Sequence, residues 1–435
     1  MSGLWVSGYR ITKLCVPRGS KTIKIFAAVL GVFRWDYVDQ QDNLPGFKKF
    51  ISEGVRAEWM NPLFPSVSCP SWTTLATGLY AESHGIVGNH FYDPTDGDHF
   101  SLFDNSTTAK QKWWTAEPIW TTSTKNGLRT ALYLWSRCDL PFEGVVPELC
   151  TPYTHIRGKE IFTKNLMDAI NKLEDGYDFA MILRHHMSAT HRKLPNNDKT
   201  GQFVKYLNTK MLQLSLKVRH LNFQPDVNII MVSDHGLTDT GFNTVQRVEL
   251  DEYLDSNLVD NIADKGAFVN IKVPTENVEL VGAQLRRIPG VSVYSHQEIP
   301  DKLHFRNHKY IHEFILVANP GYWILSSADS RKMLPPRDDW VNYGGHGYEP
   351  NMQDMKAVFF AKGPDFAPGV TLGPINIVDV YQVLTHVLQI SARPHNGTWS
   401  HMTPAFTKPQ DPHGISAAPA FVGALVLMML AVMFI

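Results

Sequence analysis

The chain has 435 residues, 43% of them hydrophobic and 11% aromatic, enough to bury a large core as one big domain or two smaller ones. Its formal net charge is −1, with acids and bases scattered along the chain, which excludes the basic footprint of a nucleic-acid partner. The four cysteines, Cys15, Cys69, Cys138 and Cys150, are few.

Residues 1–20 contain no continuous apolar run, so no signal peptide is visible there. Lys21 to Leu30 reads as a first buried strand, followed by a loop and a helix over Pro45 to Glu53. Arg34 and Asp36, between them, are spaced for a local ion pair. The stretch Asn61 to Gly78, NPLFPSVSCPSWTTLATG, comes next. Pro70 opens a short helix that Gly78 closes, which puts Ser68 at or just before a helix N-terminus. Backbone N–H groups there favour negative charge, so the Ser68 hydroxyl suits either an N-cap or a nucleophile that holds phosphate. Cys69 beside it reads as a reactive thiol at a helix start or as a small buried side chain. His84 and His90 read as structural loop residues that bond backbone.

Phe91 to Trp135 is dense in aromatic residues, including Trp113 and Trp114, and serves either as core or as a box for a cationic or flat ligand. Cys138 and Cys150 are close enough to clip a loop in an oxidising compartment, although spacing does not establish the bridge. Helical period over Asn165 to Leu173 and Gly201 to Leu221 alternates with apolar runs at Phe179 to Leu183 and Val227 to Val232. Such alternation gives an α/β fold with a mostly parallel sheet covered on both faces. Residues 249–335 hold shorter elements and read as an inserted α+β lobe, after which the chain returns through Ala357 to Ala361 and a helix at Ile377 to Leu388. The domain so outlined covers residues 21–402.

Asp234-His235-Gly236 lies at the C-terminal end of a buried strand, His191 follows another apolar run, and His346 sits among glycines. Asp and His side chains gathered at strand ends and facing a helix-terminal Ser make a divalent-metal site with an activated nucleophile. Two glycosylation sequons, at Asn105 and Asn396, agree with a secreted route. Residues 403–435 form a tail whose end, Pro419 to Ile435, is apolar and fits a lipid-anchor signal, with Ser416, Ala417 and Ala418 as attachment positions; a short tail anchor is the alternative. An anchor and sequons without a visible entry signal lead us to expect an incomplete or mispredicted first exon.

FPSVSCP, TGLYAESHGIVGN, WWTAEPIW, the Cys138/Cys150 pair, SDHGLTD, GGHGYEPNMQDMKAVFFAKGPDF and HNGTWS carry a resemblance over roughly residues 20–402. The chain resembles the nucleotide pyrophosphatase/phosphodiesterase family of the alkaline phosphatase superfamily, nearest to its choline-specific glycerophosphodiester phosphodiesterase branch. That resemblance implies an alkaline-phosphatase-like fold and a two-zinc (Zn2+) phosphodiesterase. Carried over position by position, the nucleophile falls on Ser68, with Asp234 and His235 as ligands of the same zinc and His191 and His346 on the other. Ser71 falls where the family has an Asn that contacts phosphate, and Trp113, Trp114 and Tyr153 provide aromatic lining for substrate.

Two ligand positions depart from the pattern. The aspartate that ends the family's first strand is Gly31, and the one four residues before His191 is Met187, so each zinc site loses a carboxylate. Glycine has no donor and a thioether is a poor zinc ligand, which predicts weak or single-metal occupancy. Asp36, His185 and His186 could substitute only after rearrangement of the backbone. Ile182 falls where the choline-specific branch has an aromatic, with the repelling cation Arg184 close behind. Two functions follow: a lipid-anchored, cell-surface hydrolase of choline phosphodiesters such as glycerophosphocholine or lysophosphatidylcholine, or a pseudoenzyme that keeps the fold as a binding module.

Overall fold

The computed structural model describes residues 24–153, 159–184, 198–220, 227–241, 243–326 and 344–407. Its centre is an eight-stranded sheet. In chain order the strands are β1 (Lys24–Leu30), β2 (Val55–Ala57), β3 (Thr130–Trp135), β4 (Leu149–Pro152), β5 (Phe179–Arg184) and β6 (Val227–Ser233). A second sheet contains β7 (Asn261–Ala263), β8 (Phe268–Lys272), β9 (Val291–Ser295) and β10 (Phe314–Ala318), and the central sheet is completed by β11 (Phe359–Lys362) and β12 (Val370–Leu372). The central order is β12-β2-β11-β6-β1-β5-β3-β4. The run β6-β1-β5-β3-β4 is parallel throughout, and only β11 runs against its neighbours. The fold is therefore α/β with a mixed, mostly parallel sheet.

Every residue of β1, β5 and β6 is buried, as expected for unbroken apolar strands covered on both faces. Alternation along β1 divides the core in two. Ile25, Ala27 and Val29 face one layer with α2 (Ser68–Thr77) and α5 (Asp379–Val387). Phe26, Ala28 and Leu30 face the other, with α1 (Pro45–Ser52), α3 (Lys159–Glu174) and α4 (Asp198–His220). The segment after β6 builds the second sheet, in order β7-β8-β10-β9 and antiparallel throughout, over a core of its own that includes Ile262, Val269 and Leu316.

Two local features set the frame for the site. The α2 helix begins at Ser68 itself and ends at Gly78, whose φ of 71° is the left-handed cap that glycine takes without strain. Its N-cap position is Val67, and no side chain caps it, so the Ser68 hydroxyl is not spent as a cap. Val32, two residues beyond β1, also has a left-handed φ of 59°, a rare conformation for a β-branched residue and one that costs about 1–3 kcal/mol.

Candidate functional site

Three chain segments meet at the C-terminal ends of β1 and β6. Ser68 opens α2, Asp234 and His235 follow β6 directly, and all three residues expose no surface. Ser68 Oγ lies 3.3 Å from His235 Nε2. The other ring nitrogen, Nδ1, is 2.9 Å from the carbonyl of Gly236. A carbonyl only accepts, so Nδ1 carries the proton and the lone pair sits on Nε2, facing the serine. His346 repeats the arrangement: its Nδ1 donates to the Ser66 carbonyl at 3.1 Å, and its ring stands 4.1 Å from that of His235, tilted by 32°. Backbone carbonyls therefore fix the tautomer of both imidazoles.

Asp234 is held by N–H donors on both oxygens. Oδ1 accepts from the backbone N–H of Val32 and of His235, each at 2.8 Å. Oδ2 accepts from the indole N–H of Trp72 at 2.9 Å. The unusual φ of Val32 is thus tied to the site, since Val32 N–H bonds the carboxylate there. Sequence reasoning missed both Val32 and Trp72. The available signal was spacing: Trp72 is four residues after Ser68 and shares its helix face.

Beside α2 lies a small cavity of about 40 Å³ walled by Trp72, Trp114, Trp120, Trp135 and Phe142, with Cys69 and Arg137 also on its lining. Tyr153 packs on the Trp72 ring at 5.5 Å. Of the expected substrate residues, Trp114 and Tyr153 therefore lie at or next to this cavity. Trp113 does not: it is fully buried, donates its indole N–H to the Thr107 carbonyl at 3.0 Å, and packs on Phe91, Phe100 and Tyr310. Ser71 also departs from expectation, because its hydroxyl donates back to the Val67 carbonyl at 2.8 Å within α2. Arg184 and Ile182 belong to the opposite face of the sheet, where the Arg184 guanidinium lies over Phe162 and Phe203. The expected repulsion of a cationic substrate by Arg184 has no geometric basis, because the strand's alternation turns that side chain away from α2.

The bridge between Cys138 and Cys150 is formed. Asn105 and Asn396 are both exposed. Arg34 pairs with Asp36 at 2.6 Å and also reaches Asp354 at 3.2 Å, so Asp36 does not stand in as a metal donor. His84 is structural, accepting from the Ile86 N–H at 3.1 Å. The positions 185–197, with Met187, His185, His186 and His191, lie outside the described residues, as do residues 1–20 and the apolar tail 419–435. Among the described residues no helix is long and apolar enough to cross a membrane.

The resemblance implies zinc, and the described donors nearest Ser68 are His235, His346 and the Asp234 carboxylate. The two imidazoles suit a cation, since each donates its outer N–H to a carbonyl. The carboxylate supplies one further donor group, but the position where the resemblance expects a second carboxylate is Gly31, which supplies no side chain. Among the described residues no group of three or more His, Cys, Asp or Glu side chains could hold a metal ion. As they stand, these residues do not fit a zinc site.

Residues 29–349 match the family described as Type I phosphodiesterase / nucleotide pyrophosphatase. The chain belongs to this family. Bis(5'-adenosyl)-triphosphatase of Xenopus laevis is 29% identical over 389 residues, covering 88% of this chain and 82% of that protein. Human ectonucleotide pyrophosphatase/phosphodiesterase family member 5 is 27% identical over 376 residues, covering 86% and 76%. The solved murine ectonucleotide pyrophosphatase / phosphodiesterase 5 superposes with a TM-score of 0.79 at 26% identity, over 88% of this chain and 100% of that one. An inactive variant of the murine protein, solved in complex with AMP, gives the same score. This family member is by resemblance a phosphoric diester hydrolase. The relatives named here are an adenosyl triphosphatase and ecto-phosphodiesterases, which supports the family and not the choline-specific branch expected from motifs alone.

Proposed function

We propose that the chain hydrolyses small phosphodiesters of the nucleotide type through Ser68. The observation that carries this reading is the Ser68 Oγ to His235 Nε2 distance of 3.3 Å at the first residue of α2. In the proposed reaction Oγ attacks phosphorus, its proton passes to Nε2, and the P–O bond to the leaving group breaks, an alcohol in a simple diester and ADP in bis(5'-adenosyl) triphosphate. Nε2 returns the proton to that leaving group, and water then displaces the serine from the phosphoryl group. The Gly236 carbonyl keeps His235 in the tautomer that can accept. Support for a nucleotide comes from the AMP held by the murine relative and the adenosyl triphosphate named for the frog one. The cavity beside α2 offers the half-buried Trp114 ring for a planar base.

A second reading keeps the same centre with glycerophosphocholine or lysophosphatidylcholine as substrate. Its support is the four-tryptophan wall, because an indole face is the best ring for a trimethylammonium group. We place the protein on the outer cell surface, in agreement with the disulfide and the two exposed sequon asparagines.

The experiment is hydrolysis of bis(5'-adenosyl) triphosphate and of glycerophosphocholine by purified protein, beside the Ser68→Ala variant. Turnover of the nucleotide, abolished in the variant, supports the first reading, and a higher kcat/KM for the choline ester moves the assignment to the second. Binding of both without turnover of either replaces hydrolysis by the binding-module function.

A further inference from the structure

A second cleft, of about 460 Å³, lies where four segments meet: residues 61–64 leading toward α2, 302–304 between β9 and β10, 349–351, and 376–377 before α5. Its volume is that of a small-molecule site. Ser68, Asp234, His235 and His346 are not on its wall, so it is separate from the reacting centre.

Lys356 lines this cleft and is only 7% exposed. Its ammonium donates to Asn61 Oδ1 and to the Pro350 carbonyl, each at 2.6 Å. Both acceptors are neutral and belong to the same wall. An ammonium has three N–H donors, and the third meets no acceptor among the described residues. No carboxylate among the described residues pairs with it, and burial lowers its pKa below the ordinary lysine value. Arg34, buried to the same degree, shows the usual remedy, with Asp36 and Asp354 beside it. The carboxylate on the cleft wall, Glu349, is already paired with Lys302 at 3.2 Å. Lys356 is therefore a buried cation whose counter-charge the described chain does not supply.

We propose that this cleft binds a small organic anion, with a carboxylate or phosphate oxygen seated on Lys356. Asn376 extends the donor set. Its Oδ1 accepts from Asn61 Nδ2 at 3.0 Å, which leaves its own amide N–H groups for a ligand. The chain Lys356–Asn61–Asn376 thus spends its oxygens internally and presents N–H groups, the pattern that receives an anion. On the same wall the His304 ring lies nearly parallel to the Tyr80 ring at 4.0 Å. His304 has a left-handed φ of 47°, and such strain is kept where the surrounding structure over-determines it. The stacked pair gives the body of the ligand a flat wall to rest on. None of this depends on Ser68 acting as a nucleophile.

Binding of citrate and of inorganic phosphate is measured calorimetrically on the full chain as wild type, Lys356→Met and His235→Ala. At least one probe is expected to bind the wild type, and to bind Lys356→Met roughly tenfold or more weakly, the worth of one charge-assisted hydrogen bond. His235→Ala should bind it as the wild type does. The tighter of the two probes tells a carboxylate site from a phosphate site. Wild type that binds neither probe at about 10 mM overturns the proposal, and so does equal affinity in Lys356→Met. Affinity lost only in His235→Ala also overturns it, by moving the anion to the reacting centre. Should Lys356→Met fail to fold, Asn376→Asp takes its place. That change keeps the oxygen that Asn61 needs and sets a carboxylate against the ligand, so binding should again weaken roughly tenfold or more. Unchanged affinity there overturns the proposal equally.

Discussion

The Ser68 hydroxyl and the Nε2 of His235 lie 3.3 Å apart, with no exposed surface on either residue. The pair joins the start of α2 to the end of β6, so one interaction couples the proposed nucleophile to a central strand of the sheet. Residues that act as one unit lose nearly everything when either is removed. Ser68→Ala and His235→Ala are each expected to lower kcat by at least about 10³-fold, and the double variant by no more than the worse single one. Steady-state kinetics on the preferred phosphodiester check this. Multiplying losses would mean that the two residues act separately.

Much of this centre was legible in the sequence. Pro70 and Gly78 bracket α2, the apolar run before Asp234 places the carboxylate at a strand end, and the alternation of strand and helix gives the sheet. What could not be read is which side chain turns inward. Trp113 and Trp114 are neighbours with the same chemistry, and packing by residues distant in the chain, Tyr310 in the turn before β10 among them, decides which becomes core. Trp72 escaped because an aromatic at helical spacing usually means packing, and its N–H partner is 162 residues away. Arg184 was misplaced because its face depends on a strand's parity, which shifts with a single residue of register.

Asp264 gives an unusual pH dependence. It is buried, follows β7 with a φ of 59°, and accepts the His90 N–H at 3.4 Å. Burial pushes its carboxyl up from 3.8 to about 7, against the opposing pull of the His90 and Asn89 N–H groups. The folded form then keeps a proton that the unfolded chain releases above about pH 4, so stability contributed by this group falls as pH rises toward 7. Buried His84 and His90, pushed down to about 3 and about 4, act oppositely and add stability as pH rises toward the ordinary histidine value. Urea denaturation of wild type against Asp264→Asn isolates the carboxyl. Between about pH 5 and pH 8 the wild type is expected to lose a few kcal/mol relative to the variant. Parallel curves would remove the raised carboxyl.

Cys69 is next to Ser68, the proposed nucleophile, but is expected to be inert. Its thiol is buried, and burial with Asp264 nearby pushes its ionisation far above the ordinary thiol range. In a Cys15→Ser background iodoacetamide should label no cysteine of the folded protein and one after addition of urea. Labelling of native protein that also stops turnover would give the thiol a functional place.

The adjacent tryptophans should separate stability from substrate binding. Trp113 is fully buried among Phe91, Phe100 and Tyr310 with its indole N–H bonded, so Trp113→Ala leaves a large hole and an orphaned Thr107 carbonyl. A loss of about 3–5 kcal/mol is expected, with KM unchanged in whatever folds. Trp114 is only half-buried and lines the cavity beside α2, its N–H on the Thr108 carbonyl at 2.8 Å. Trp114→Ala should cost about 1–2 kcal/mol of stability and raise KM roughly tenfold, with kcat within about threefold, because the ring binds ground and transition states alike. The choice of substrate decides how the increase is distributed. If the base of a nucleotide stacks on this ring, KM for bis(5'-adenosyl) triphosphate rises while that for a nitrophenyl methyl phosphodiester stays put. An equal rise for both would place Trp114 against the phosphate, and no rise for either would move the organic group of the substrate out of this cavity.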